Sequence, residues 1–374
     1  MGSARIVVVL QTPKDAHSAV LQSYLALGAR LAAGGHNLAI VAPDDFPLAR
    51  GFGRRWTPFT YPIAVARWMR ANARHADVVV SHSYACWMAA RSGALATTPM
   101  VVAFHGLEPL YHRALRAECR RAGRRLSWRY RLLQEQLMPR WLRAVCSRAS
   151  LVACLNAVER AEIVARGWAT PGRVTVFGHG VRDAYFAASR PVRPVSRLLF
   201  VGQWLPMKGI PYLRDAAAAL LRRHTELVLE CAGTLAGADD VLADFPPDVR
   251  PRIRVRPRVD QADLPQVYAD ADVFVFPSLY EGFGRALLEA MAMRLPIVTT
   301  DVGIAQDALR DGEGCLIVPR HDAAAMVTAI ERLMADDSLR ASLGAAAQAT
   351  ARTYREADRT GEYADLLLGV AARR

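Results

Sequence analysis

A chain of 374 residues exceeds one ordinary hydrophobic core and suits two domains. With 52% hydrophobic and 22% charged residues it is globular rather than disordered, and no apolar stretch approaches the roughly 20 residues that span a bilayer. The net charge of +13 is uneven: residues 1–190 hold 26 Lys+Arg against 10 Asp+Glu, whereas 191–374 hold 22 against 25, so the first half suits an anionic partner unless an arginine-rich coding bias alone explains it.

Short apolar runs and helical patterns alternate from end to end. Residues 5–10 read as the first strand, being too short for a signal-peptide core. Ala19–Ala33 has helical periodicity and closes at Gly34-Gly35. Strands are expected at 37–42, 77–81, 100–104, 151–155 and 174–177, with His82 and His105 at strand ends. Buried strands spaced by helices predict a parallel sheet covered on both faces. The six cysteines form no Cys-x-x-Cys pair, which argues against zinc and a disulfide framework. They read as buried thiols in a reducing compartment, so the expected location is cytoplasmic.

Segment 113–148 stands apart, with eleven arginines and two acids. Between them lie Leu126, Trp128, Tyr130, Leu132, Leu133, Leu137, Met138, Trp141 and Leu142. Residues 126–147 read as a domain helix with a Leu/Trp core face, which Pro139 would break or kink. The basic stretch 113–125 reads as a surface for an anionic membrane.

Pro191, Pro194 and their polar neighbours mark 188–197 as a linker. The pattern then restarts, with strands expected at 198–201, 227–232, 253–255, 273–276, 297–299 and 315–318. Two doubly wound α/β domains follow, 1–187 and 198–353, with a ligand in the cleft facing the strands' carboxyl ends. Residues 354–374 form a closing helix. Only two of the 48 basic residues are lysine, Lys14 and Lys208. Where arginine is the default cation, a lysine suggests that a compact ammonium is wanted. Lys208 lies in Gly202-Gln-Trp-Leu-Pro-Met-Lys208-Gly209, which lacks the Gly-Lys-Ser/Thr order of a Walker loop. Asp270-Ala-Asp272 precedes a buried strand and reads as structural, so no metal is expected.

The most informative stretch is Pro277-Ser-Leu-Tyr-Glu-Gly-Phe-Gly-Arg-Ala-Leu-Leu-Glu289. A capping box from Ser278 and Glu281 would place Gly282 and Gly284 inside the first helical turns, at about 1 kcal/mol each. A bare-backbone loop with a helix starting near Arg285 accounts for the glycines better. Free N–H groups at such a helix start favour an anion. Glu281 and Glu289 beside them suit hydroxyl groups, and phosphate beside polyol points to a nucleotide-sugar site.

Glu281-Gly-Phe-Gly-x4-Glu289 resembles the Glu-x7-Glu motif of retaining glycosyltransferases of the GT-B fold, especially the large family-four group, and the likeness runs along most of the chain. The resemblance implies two Rossmann-like domains facing a cleft, with the C-terminal helix crossing back onto the first. It implies a retaining, metal-independent transfer of a sugar from a nucleotide-diphosphate-sugar, with no cofactor besides that donor. Glu281 would hold sugar hydroxyls, Glu289 the ribose diol, and His105, in Phe104-His-Gly106, the sugar from the first domain. The backbone of Gly282, Phe283, Gly284 and Arg285 would contact sugar and phosphate. Lys208 matches the lysine of the family's Gly-Arg-x4-Lys-Gly diphosphate element, while Gln203 stands at its arginine position and brings no charge. Arg258 lies in the loop that meets the base through backbone atoms, and His82 is a second cleft-facing candidate.

Other departures bear on the acceptor and the donor. Gln11-Thr-Pro-Lys14-Asp15-Ala16-His17 replaces the glycine-rich loop of relatives, leaving Lys14, Asp15 and His17 as acceptor-side candidates. Arg294-Leu-Pro296 and Val302-Gly-Ile304 each lack a glycine that relatives usually have. The expected acceptor is a lipid-linked or anionic glycan at the cytoplasmic membrane face. A nucleotide-sugar epimerase or hydrolase of the same fold and a catalytically silent binding protein stay open as alternatives. No nucleic-acid partner is expected, because no recognised motif accompanies the basic half.

Overall fold

Runs such as Ile6-Val-Val-Val9 and Val78-Val-Val80 do not alternate with polar residues, as expected of strands buried on both faces of a parallel sheet. In the computed structural model, which describes residues 3–15, 18–47, 56–187 and 193–373, they lie in the first of two six-stranded sheets. That sheet contains β1 (Arg5–Val9), β2 (Asn37–Val41), β3 (Val78–His82), β4 (Met100–Ala103), β5 (Leu151–Cys154) and β6 (Val174–Val176), in the order β2-β1-β3-β4-β5-β6. The second contains β7 (Arg197–Val201), β8 (Val228–Ala232), β9 (Ile253–Arg256), β10 (Val273–Phe276), β11 (Ile297–Thr300) and β12 (Leu316–Val318), in the order β12-β11-β10-β7-β8-β9. Every pairing between these strands is parallel.

The chain divides into two compact units. One comprises Met1–His112, Arg125–Gly178 and Ala357–Arg374, the other Arg113–Arg124 and His179–Glu356. Within the first, alternate residues of β1 serve opposite cores. Val7 and Val9 pack with Val79, Val102 and Trp141. Ile6 and Val8 pack with Leu27, Leu31 and Val80. Ala364, Leu367 and Val370 of the C-terminal helix Glu356–Ala371 join this second cluster, so the tail covers a face of the first sheet.

Each sheet reverses its strand order once, between β1 and β3 and between β7 and β10. At such a reversal the connections on either side leave in opposite directions and open a crevice beyond the strands' carboxyl ends. The fold thereby sets the loop after β7 beside the loop after β10, and Gln11 after β1 beside His82 at the end of β3.

Segment 113–148 departs from its expected form. The chain runs through helices Glu108–Arg121 and Trp128–Arg131, a π-helical stretch Leu132–Leu137 and helix Met138–Arg148. Helical backbone runs unbroken from Trp128 to Arg148, so Pro139 does not end the helix; it comes just after the π-helical stretch, where the Met138 N–H reaches back to the Leu133 carbonyl and the regular α ladder is interrupted. The expected core face holds for Met138, Trp141, Leu142, Val145 and Cys146, which are buried, with Trp141 stacked on Trp87 at 5.4 Å. Trp128 and Leu132 face solvent instead.

Most of the expected 188–197 linker lies outside the described residues, but its end is fixed. The buried Asp272 carboxylate accepts the N–H groups of Ser196 and Arg197, both at 2.9 Å, and the Arg193 guanidinium. These bonds give Asp272 its structural task.

Candidate functional site

In the second unit, the loop after β7 ends in the turn Pro206–Lys208 and then Gly209, whose φ is 73°. A Cβ at Gly209 would lie 1.9 Å from the Pro277 carbonyl oxygen, so only glycine lets this turn press against the loop after β10. The Leu279 N–H donates to the Met207 carbonyl at 2.8 Å and clamps the two together. As a result the Lys208 ammonium reaches Glu281 Oε1 at 2.6 Å, and the Ser278 hydroxyl donates to the same oxygen at 2.7 Å. Lys208 is 26% exposed and Glu281 10%, so this pair is only partly screened by water.

Ser278 and Glu281 thus bond side chain to side chain, and they do not cap the helix. That helix is Arg285–Ala292, opened by Gly284 with φ 90°. Gly303 presses on the loop from the other side: its Cβ would stand 2.3 Å from the Phe283 carbonyl, which accepts the Ile304 N–H at 2.7 Å. Gly282 and Phe283 are buried, with the Phe283 ring between His179 and Tyr354. Glu289 follows one turn into the helix. Its Oε2 lies 2.9 Å from the Tyr268 hydroxyl. Burial pushes the Glu289 carboxyl above the usual carboxylate range, and the nearby Arg285 and Arg182 charges and the Tyr268 hydroxyl oppose it. Gln203 and Arg258 are exposed in the loops after β7 and β9.

In the first unit, the Gln11 N–H donates to Nδ1 of His82 at 3.3 Å. Burial lowers the His82 pKa to about 4. The His82 ring stands perpendicular to that of His105, with centroids 4.6 Å apart, and the Tyr24 hydroxyl lies 3.4 Å from His105 Nε2. The structure brings these two sequence-predicted histidines together and sets Lys14 against the Pro43–Asp45 turn. Its ammonium pairs with Asp45 at 2.8 Å and its N–H donates to Asp44 at 2.7 Å, so it serves the Pro43–Asp45 turn. Asp15 is exposed and its carbonyl accepts the Ser18 N–H at 2.8 Å; His17 lies outside the described residues.

Several neighbours escaped the sequence reading. Tyr268 sits on a short apolar helix without any local signal of its contact to Glu289. Ser83, in the left-handed region at φ 49°, donates its hydroxyl to Glu108, whose Oε2 is enclosed with no hydrogen-bond partner among the described residues. Burial pushes the Glu108 carboxyl up to about 7. Among the described residues, no group of three His, Cys, Asp or Glu is placed to hold a metal ion, and no helix is long and apolar enough to cross a membrane. All six cysteines are free and buried.

The family model described as glycosyl transferases group 1 matches residues 195–336, and that of glycosyltransferase family 4 matches residues 22–185. D-inositol 3-phosphate glycosyltransferase from Kineococcus radiotolerans is 32% identical over 323 residues, covering 76% of this chain and 71% of the relative. The chain belongs to the family-four glycosyltransferases. This glycosyltransferase shares its fold with sucrose-phosphate synthase from Thermosynechococcus elongatus, at TM-score 0.81 and 18% identity over 99% of this chain and 100% of that one. It also matches the Anabaena HepE protein in complex with UDP-glucose, at TM-score 0.72 and 16% identity over 98% and 99% of the two chains. The two parallel sheets of the glycosyltransferase are those of the GT-B fold.

Proposed function

We propose that this glycosyltransferase transfers a sugar, with retention and without a metal ion, from a nucleotide-diphosphate-sugar to an anionic or lipid-linked acceptor. The observation that carries the proposal is the Lys208–Glu281 pair at the β7/β10 reversal, beside the amino end of helix Arg285–Ala292. An ammonium has three donors, so Lys208 can hold Glu281 and a phosphate oxygen together. Lys208 and the helix start supply the positive potential that a departing diphosphate needs, with less help from the neutral Gln203 than an arginine would give. Glu281, fixed by Ser278 and Lys208, accepts from sugar hydroxyls, and Glu289 accepts from the ribose. His105 takes the family's sugar-contacting role.

The UDP-glucose named with HepE supports a nucleotide-sugar donor, and the inositol 3-phosphate in the relative's name supports a phosphorylated acceptor. The exposed Arg120, Arg121, Arg124, Arg125, Trp128 and Arg129 suit an anionic membrane surface at the cytoplasmic face.

Thermal shift against UDP-, GDP- and ADP-sugars identifies the donor, because a bound ligand raises the melting point. Product NMR with that donor, with and without EDTA, then reads the anomeric outcome. Retention unaffected by EDTA is expected; inversion or a strict cation requirement overturns the mechanism. Glu289→Ala should weaken donor binding roughly 10-fold or more, the scale of about 1.4 kcal/mol lost from a hydrogen-bonded charged group. Unchanged donor affinity on calorimetry removes Glu289 from the site.

A further inference from the structure

We infer that Tyr24 and His82 are positioning residues for His105, fixing its ring plane and holding its proton on Nδ1. This inference rests on the sugar-contacting role proposed for His105.

The placement follows from the reversal of the first sheet. His82 ends β3, next to β1, and the Gln11 N–H just beyond β1 donates to its Nδ1. A neutral His82 therefore carries its proton on Nε2, and its ring cannot turn over without abandoning that backbone donor. Burial, which keeps its pKa near 4, makes the neutral form the one present at physiological pH. The ring stands at 90° to His105, so it bounds the orientation of the second imidazole.

Tyr24 approaches from helix Ala19–Ala33. Its ring lies at 72° to His105 and its hydroxyl is 3.4 Å from Nε2. A tyrosine hydroxyl donating to Nε2 leaves the imidazole proton on Nδ1. Tyr24 is 2% exposed, and Tyr363 of the C-terminal helix lies beside its hydroxyl. The Tyr363 ring stacks on Phe177 at 4.7 Å, and the Arg359 guanidinium lies 4.5 Å from the Phe177 centroid. The C-terminal helix therefore backs the histidine through Tyr363 and Tyr24. This gives the tail a task besides covering the sheet.

The test uses the full chain with ring-15N-labelled histidine. Wild-type His105, assigned by its loss in His105→Ala, should show the Nδ1–H tautomer in long-range 1H–15N spectra. Tyr24→Phe removes one oxygen and should shift His105 toward the Nε2–H form. The same variant should lower kcat on the order of 10-fold, the cost of sub-ångström misplacement, with donor KM nearly unchanged. His82→Asn retains an acceptor for Gln11 and should lose less activity than His82→Phe. A His105 tautomer and kcat that both stay the same in Tyr24→Phe overturn the positioning role. Full activity in His105→Ala instead overturns the sugar contact itself, and the tautomer measurement separates the two failures.

Discussion

Lys208 and Glu281 stand 73 positions apart in sequence and 2.6 Å apart in the fold. The cation expected at the diphosphate and the carboxylate expected at the sugar thus steady one another before any ligand arrives. Each removes part of the other's cost of burial, and the pair has its partner distances set by Ser278 and by the clamp between Met207 and Leu279.

Lys208→Ala should lower kcat on the order of 10²- to 10³-fold, as expected when a donor to a developing anion is lost. Lys208→Arg should recover only part, because a planar guanidinium does not reproduce a compact ammonium between two oxygens. A double-mutant cycle with Glu281→Gln should show coupling of about 1–3 kcal/mol. Additive effects would mean that the two residues act independently.

Gly209→Ala forces a Cβ into the Pro277 carbonyl at a φ of 73°. Urea denaturation should register a loss of more than about 2 kcal/mol, through strain at a left-handed position and separation of the two loops. Activity should fall with it. Wild-type stability in this variant would show that the close approach is absent in solution.

Arg294 adopts φ 57°, just past the helix Arg285–Ala292. A side chain with a Cβ is disfavoured there by about 1–2 kcal/mol relative to glycine, which is the usual helix terminator. Arg294→Gly should therefore raise stability by up to about 1 kcal/mol, the rest being offset by the freer unfolded chain. A drop in denaturation midpoint would show that the arginine makes a compensating contact.

Glu108 carries a pH dependence whose sign follows from its raised pKa of about 7 against an ordinary 4.5. Below pH 4.5 the group holds its proton in both states. Between 4.5 and 7 the folded protein keeps a proton that the unfolded chain has released, so stability falls as pH rises, and the full cost is present above 7. Glu108→Gln keeps the shape and removes the ionisation. Its stability relative to wild type should rise across that window, by about 1–3 kcal/mol at pH 8, the penalty of an enclosed unsatisfied acceptor. A difference that does not vary with pH would place the Glu108 carboxyl in contact with water.

The strand positions were legible in the sequence because a strand covered on both faces must be continuously apolar: 273–276 matches β10, and most other boundaries shift by one residue. The helix start at Arg285 was legible for a similar local reason, since Gly284 supplies the left-handed residue that precedes it. Pro139 does not break the helix, but the α ladder gives way to a π-helical stretch just before it, the local adjustment that a missing N–H inside continuous helix calls for. Lys14 has the same rarity as Lys208, and its partner Asp45, 31 positions away, had no signature in the sequence.

What the sequence by itself determined is therefore short-range: which runs are buried, where glycine alone fits a backbone turn, and which carboxylates flank a helix start. Only the tertiary structure decided which of those loops would touch. The order of strands in a sheet is set by how each crossover packs, and that choice brought β10 next to β7 and β3 next to β1. The first adjacency produced the Lys208–Glu281 pair and the second the Gln11–His82 bond, while the pairing of β3 with β4 produced the His82–His105 contact and the Ser83–Glu108 bond, none of which has a signature within a few residues along the chain.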